Sequence, residues 1–567
     1  MPFSHLKGRK LMLCDMIYHS PRKATDYHDY LSIVYKDLIT GKKELMKIKD
    51  PEFTIYEVEE SYRTFKSQRQ FVEMEHLIPH KIKYKDTLYE IAKIMGESGI
   101  RYYKEHTRYY ERRELYKYPY VVGADIGIET YYRVLWHKEL GNDDKKEVTC
   151  QFLDIEVNQK HWDGAGIPRE GECPIDAISL VDDASNTVYT FLLKVPDNPL
   201  IDDFMNNIND VYKELHELFD ESYGVLTYQI YMFEDEVEML KKLFTLIHSL
   251  KRDIIMIWNM AFDIPYIINR LKVLGENPMD IMCHSDFPVS ELYYSEDTNT
   301  FEFAEKRDYF QISSYTHYID QLIQYASLRK SQGAVKKVNL GAIAKAELGD
   351  SKLDYTDVGN FIEFSYQDYT RYVIYNIKDT LLQMGINRKC NDMFTYYSTV
   401  YNSFCSYKDG LKQTVVLRSL IYKEFLDKGL VLGQNINFGN KDNNHSSDDD
   451  EDDTFEGALN GDPMLNGHSG LMLFGKRSKF LFGSCIDFDF SAMYPNSICA
   501  FNIFVTAMIG KLIIDGQQHR LNYDEDAGRE FVEDMTSQLP LFTGTKWFNL
   551  PSFDEVANRL ESKFNIQ

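Results

Sequence analysis

The stretch Phe152-Leu153-Asp154-Ile155-Glu156-Val157 limits what this chain can fold into more than any other. Leu153, Ile155 and Val157 alternate with Asp154 and Glu156, so a strand here carries both carboxylates on one face, two residues apart. Neighbouring anions on an apolar strand repel each other unless a cation lies between them. A Mg²⁺ held by oxygen ligands meets that need, and an exposed sheet face with ordinary surface acids is the alternative. The surrounding chain has 567 residues, about four domains' worth at ~150 each, and is 44% apolar and 14% aromatic, which describes a folded globular protein.

A formal net charge of −24 excludes a protein that coats nucleic acid by bulk charge, but not an enzyme that acts on nucleic acid. The acidity lies downstream of residue 150, partly in the run Asp448-Asp449-Asp450-Glu451-Asp452-Asp453. The eight cysteines are scattered, without a CxxC pair or a zinc spacing, so reduced thiols and a cytoplasmic location are expected. The N-terminal residues lack the apolar run of a signal peptide, and no window of 18 residues is free of charge, so no membrane contact is expected.

Two further carboxylate signals follow the first. Ile254 to Trp258 reads as a buried strand, after which Asn259 and Asp263 fall in the turn and Pro265 suits the first turn of the next helix. Asp263 at the carboxyl end of a strand is placed either for a ligand site or for a helix N-cap. Downstream, Tyr375 and Asp379 are four residues apart in a helical pattern and therefore share one face.

In the order Asp-x-Glu, Asp, Tyr-x-x-x-Asp, these elements resemble the three exonuclease motifs of family B DNA polymerases, which belong to a DEDD-type, RNase H-like 3′-5′ exonuclease. Val338-Asn-Leu340-Gly-Ala-Ile-Ala344-Lys-Ala-Glu347-Leu348-Gly349 is similar to the family's segment before the third motif. FDIPYIINRL and YNIKDTLL look closest to the polymerases of T-even-like bacteriophages, although Asn259 and Phe262 are separated by two residues where many members have three. The resemblance implies that Asp154, Glu156, Asp263 and Asp379 hold two Mg²⁺ ions, with Mn²⁺ as a substitute, and that Tyr375 assists the attacking water.

Further on, Ile486-Asp487-Phe488-Asp489-Phe490-Ser491-Ala492-Met493-Tyr494-Pro495 looks like the family's first polymerase motif. Aligned on Tyr-Pro, Asp489 takes the catalytic metal-binding position and Tyr494 the position that packs under the nucleotide sugar; Ala492-Met493 departs from the family's usual Ser-Leu. Phe455-Glu456-Gly457-Ala458 resembles the family's template-contacting segment. The Lys-xxx-Asn-Ser-x-Tyr-Gly helix and the Tyr-x-Asp-Thr-Asp hairpin do not follow Asn496, so this chain does not supply both polymerase carboxylates.

The expected fold class is therefore α/β and α+β multidomain, an RNase H-like 3′-5′ exonuclease domain with an N-terminal domain and a partial polymerase palm. The expected divisions are an N-terminal domain at 1–147, the exonuclease at 148–395, a helical connector with an acidic loop (440–454) at 396–454, and the start of the palm at 455–567. In residues 101–120, Arg101, Lys104, Arg108, Arg112 and Arg113 interleave with tyrosines, which reads either as a grip on single-stranded backbone or as a partly buried helix with a basic face.

The leading function is the N-terminal part of a DNA-directed DNA polymerase for viral DNA replication, carrying its proofreading exonuclease, in a host cytoplasm. A free-standing 3′-5′ exonuclease and an inert or nucleic-acid-binding fragment are the alternatives. The implied partners are primer-template and single-stranded DNA, a second polypeptide with the remaining palm, fingers and thumb, deoxynucleotides once that chain completes the site, and a sliding clamp.

Overall fold

In the computed structural model of the protein, the described residues are 2–20, 28–63, 71–141, 148–164, 166–298, 300–330, 338–432 and the strands at 508–514, 518–524, 529–534 and 537–542. The chain divides into two compact units, Met1–Glu456 and Gly457–Gln567. Asp489, Tyr494, the acidic loop 440–454 and the Phe455–Ala458 segment lie outside the described residues.

The first unit opens with antiparallel strands β1 (Leu11–His19), β2 (Tyr30–Asp37) and β3 (Lys43–Lys49), paired in that order. Strand β4 (Glu52–Val58) lies between β6 (Leu77–Lys83) and β7 (Val121–Val122), with β5 (Phe71–Glu73) between β4 and β6 in the chain. Helices α1 (Thr87–Ile94), α2 (Glu97–Glu105), α3 (Tyr109–Arg112) and α4 (Ile128–Leu140) complete this part. Phe3, Phe53 and Trp136 are among the largest side chains in its core.

The basic, tyrosine-rich stretch 101–120 is thus broken into short helical pieces. Arg112 turns inward, donating to the carbonyls of Tyr103 and His106 with its guanidinium 3.8 Å from the Tyr103 ring centre. Arg101, Lys104, Arg108, Tyr109 and Tyr110 stay exposed.

A six-stranded sheet forms the centre of the unit, in the order β11 (Thr227–Phe233), β10 (Thr187–Leu193), β9 (Ile175–Asp182), β8 (Cys150–Val157), β12 (Ile254–Ile257), β15 (His317–Asp320). Strand β9 runs antiparallel to β8 and β10, whereas β12 is parallel to both β8 and β15. Strands β9 and β10 are buried at every position, as befits the middle of a sheet covered on both faces. Phe152, Val181, Val188 and Met256 pack against α6 (Ile208–Tyr223) and the long α13 (Tyr369–Cys390); α5 (Leu200–Asn206) joins this layer. Leu153, Ile155, Phe191 and Ile257 pack on the other face against α7 (Glu236–Leu250) and α8 (Met260–Val273).

Short polar residues fix where the helices start. Asp235, Asp320 and Asp368 each accept a backbone N–H in the first turn of α7, α10 (Gln321–Leu328) and α13, respectively. Asn277 does so for α9 (Pro278–Met282) and Asn339 for α11 (Leu340–Leu348). Pro265 is not in the first turn of its helix as expected from sequence. Strand β12 ends at Ile257, Asn259 takes a left-handed conformation (φ 69°), and α8 begins at Met260, so Pro265 falls in the second turn.

The β13 (Leu292–Ser295) and β14 (Tyr309–Ile312) hairpin precedes β15, and the short α12 (Phe364–Gln367) precedes α13. Beyond α13, α14 (Asp392–Ser403) places Tyr396, Tyr397 and Val400 in the core beside α13. Helix α15 (Gln413–Asp427) leads to β16 (Leu430–Leu432), which pairs with β5, and Tyr422 joins the N-terminal core. In the second unit, β17 (Met508–Ile514) pairs with β20 (Ser537–Phe542) and β18 (Gln518–Asp524) with β19 (Arg529–Asp534), all antiparallel. Among the described residues no helix is long and apolar enough to cross a membrane.

Candidate active site

Strand β8 extends four residues, Asp154 to Val157, beyond the last pair it makes with β12, Leu153 with Ile257. Asp154 and Glu156 therefore stand at the carboxyl end of two parallel strands, facing α13 from the sheet surface that also carries Phe152. Asp379 comes from α13, and one carboxylate oxygen from each of these three residues lies within 4.8 Å of the others. Asp154 and Glu156 keep a partly exposed side, whereas Asp379 is 3% exposed and its Oδ1 is buried with no hydrogen-bond partner among the described residues.

Asp263 does not join that three-residue cluster. It sits in the first turn of α8, 5% exposed, accepts from the backbone of Ile155, and adjoins Asp154 closely enough that their charges interact. Two features hold α8 at this angle. The Asp320 carboxylate accepts from the Met260 N–H at 2.8 Å, and Arg270 donates to Glu236 at 2.7 Å and to the Gly171 carbonyl at 3.0 Å. Gly171 has φ +78°, and a Cβ there would meet the Arg270 backbone nitrogen at 2.5 Å, so only glycine allows this approach.

The electrostatics of the site are those of crowded, buried carboxyls. Burial, then the charge of Asp379, pushes Asp154 up to about 7. Burial, then Asp154 and Asp379, holds Glu156 well above the usual carboxylate range, and burial with Asp154 does the same to Asp263. Asp379 is also raised, burial outweighing the Lys352 ammonium 2.5 Å from its Oδ2. Protein surroundings that disfavour these charges, an all-oxygen donor set and the unpartnered Asp379 oxygen fit a hard divalent cation.

The Tyr375 hydroxyl lies 3.1 Å from Lys352 Nζ. Burial, then Asp379, raises the phenol above its ordinary value, so it is an O–H donor at neutral pH.

Sequence reasoning missed Lys352, Asn376 and Asp176. Lys352 lies in a connection without periodicity. Asn376 donates to Asp154 Oδ2 at 2.9 Å from a position three residues before Asp379, a helical spacing that points to it. Asp176 accepts from the Tyr372 hydroxyl at 2.6 Å and Asn158 at 3.0 Å, and burial raises it to about 7. It is one more carboxylate in an apolar strand, in the order Ile175-Asp176-Ala177.

Residues 120–320 match the sequence family described as DNA polymerase family B, exonuclease domain. The chain is 26% identical over 256 residues to the DNA-directed DNA polymerase of Enterobacteria phage T4, covering 43% of this chain and 26% of that protein. It is 26% identical over 189 residues to the DNA polymerase of Autographa californica nuclear polyhedrosis virus, and over 186 residues to that of Bombyx mori nuclear polyhedrosis virus, covering 33% of this chain and 18% of each relative. The chain thus spans about a quarter or less of the length of these curated relatives. Strand β8 with Asp154 and Glu156, the β12–α8 turn with Asp263, and the sheet that carries them all lie inside the segment, residues 120–320, that matches the exonuclease domain of DNA polymerase family B.

Proposed function

We propose that the chain is the N-terminal part of a viral family B DNA polymerase and that its RNase H-like domain removes nucleotides from DNA 3′ ends, proofreading the primer. The observation that carries this reading is the cluster of Asp154, Glu156 and Asp379 at the open end of β8, with Asp263 beside it and every one of these carboxyls raised in proton affinity. Asp154, Glu156, Asp263 and Asp379 would hold two Mg²⁺ ions, which when bound would supply an activated water and stabilise charge on the departing 3′ oxygen.

The residues supply the rest. The oxygen of water bonds to phosphorus while the bond from phosphorus to the 3′ oxygen breaks, releasing a nucleoside 5′-monophosphate and a new 3′ hydroxyl. Tyr375 donates its O–H to the water or to a phosphate oxygen and orients it; it does not serve as the base, because its phenol stays protonated. Lys352 stays charged, holding Asp379 and Tyr375 in place. The open side of Asp154 and Glu156 admits the end of a single strand.

Polymerisation would draw on Asp489 and Tyr494 together with palm, fingers and thumb elements outside residues 1–567, which would bring the deoxynucleotide site and clamp contacts. The division of labour along the chain is 1–147, 148–395, 396–454 and 455–567. A free-standing exonuclease is the second reading, favoured by the confinement of Asp154, Glu156, Asp263, Tyr375 and Asp379 to one compact unit.

A sizing gel of 5′-labelled primer-template DNA with Mg²⁺ and all four deoxynucleotides tests this. The primer is expected to shorten with the native chain and not with Asp154→Ala, Glu156→Ala. An unchanged primer with both proteins overturns exonuclease action by the chain alone, and a lengthened primer overturns the need for polymerase elements outside residues 1–567.

A further inference from the structure

We infer that Asn376 is a positioning residue whose side-chain amide fixes the Asp154 carboxylate from behind. The inference rests on the reading of Asp154 as a metal ligand. Helix α13 crosses the sheet over a row of register partners, Asp154 in β8, Ser179 in β9 and Thr190 in β10. Asn376 is 0% exposed, and its Nδ2 lies 2.9 Å from Asp154 Oδ2. The reverse orientation of the amide would set its oxygen against a carboxylate oxygen, so the donor must face Asp154.

Among the described residues the other end of the amide finds no hydrogen-bond partner: Asn376 Oδ1 is buried and unpaired there. A buried polar atom in that condition costs about 1–3 kcal/mol, whereas an aliphatic side chain of the same size would carry no such cost. An amide at this position is thus poor for packing, and the side-chain hydrogen bond it makes among the described residues is to Asp154. Holding one oxygen of a carboxylate sets the plane of the group and so the direction of the other. A donated N–H also favours the ionised form that a cation needs.

Asp379 has a different support, Lys352 on the cleft side. Asn376 therefore acts on the β8 half of the cluster alone. Thr380, one turn further along α13, is equally buried, but its hydroxyl bonds to the Ile377 carbonyl at 2.8 Å, within its own helix. It is the internal control for disturbance of α13.

The test is Mn²⁺ binding to the full-length chain by isothermal titration calorimetry, with metal-free melting temperatures measured alongside. Asn376→Leu is expected to weaken Mn²⁺ binding about 10- to 100-fold while its metal-free melting temperature holds or rises. Thr380→Val is expected to bind like the native chain, and Asp154→Asn to abolish the tight phase. In the sizing assay, Asn376→Leu should lower kcat and leave KM for DNA in place.

Native affinity in Asn376→Leu overturns the inference and leaves the metal-site reading standing, and so does equal weakening in Thr380→Val. Binding by the native chain that does not depend on Asp154 overturns the metal-site reading itself, and this inference with it.

Discussion

Lys352 and the carboxylates around it share one charge balance. Its Nζ lies 2.5 Å from Asp379 and 3.1 Å from Tyr375, so its positive charge sits against the cluster. Lys352→Met leaves Asp154, Glu156 and Asp379 to repel one another, which in EDTA should cost about 1–2 kcal/mol. The figure is kept below that of a fully buried pair because the Lys352 side chain is 36% exposed. Saturating Mg²⁺ brings its own positive charge, so the gap in melting temperature between Lys352→Met and native protein should narrow when Mg²⁺ replaces EDTA. A gap of equal size under both conditions would show that Lys352 does not share the metal's role. Tyr375→Phe separates another effect. On the proposed mechanism it removes one donor to the reacting water and should lower exonuclease kcat by about 10²-fold, with Mn²⁺ affinity unchanged. A loss confined to metal binding would contradict the orienting role.

At the scale of elements, β3 and the turn before β12 meet through one buried ion pair. Asp253, which precedes β12, accepts from Lys43 at 2.7 Å and from the Thr149 N–H and hydroxyl at 2.8 and 2.7 Å. Burial acts to raise this carboxyl, but the Lys43 ammonium and the Thr149 donors outweigh it and hold it down at about 2. An unfolded aspartate titrates near 3.9, so the charged form contributes about 2–3 kcal/mol to the folded state. Because the folded value is the depressed one, that stability is complete above about pH 5 and is lost as pH falls through about 4 to 2. Lys43→Met strands the buried carboxylate and should cost about 3 kcal/mol at pH 7, with the difference from native protein shrinking as pH falls from 5 to 3. Urea melts across that range measure it, and a pH-independent difference would assign the loss to packing.

The same scale shows what can be read in the chain and what cannot. The alternation of Leu153, Ile155 and Val157 with two acids locates β8 and the face its carboxylates share, because a strand's period of two is a local property. The run from Ile254 gives β12 for a similar reason. Asn259 sets α8 one turn earlier than Pro265 suggests, since a left-handed asparagine makes the turn without a proline signal. Lys352 reaches Asp379 across 27 residues that carry no periodic pattern. Helix α13 is buried nearly all round, so it has no polar stripe to show that Asn376 faces the sheet.

For the whole molecule, the question is how much of the chain the exonuclease needs. Asp154, Glu156, Asp263, Lys352, Tyr375 and Asp379 all lie in the first compact unit, Met1–Glu456. Within that unit the segment after α13 is not separable: Tyr396, Tyr397 and Val400 belong to the core under α13, and Val431, fully buried, sits in a strand paired with β5. Removing Tyr396, Tyr397 and Val400 would open the core that they share with α13, at about 25 cal/mol for each Å² of apolar area returned to water. A chain ended after Leu432 should therefore melt in one cooperative transition and shorten a labelled primer at close to the native rate. A chain ended after residue 395 should melt at a markedly lower temperature and lose nuclease activity at 37 °C, with partial recovery on cooling. Comparable activity from the two truncations would mean that the 148–395 segment is a self-sufficient nuclease. Loss of activity in the longer one would mean that residues beyond 432 take part in holding the DNA strand.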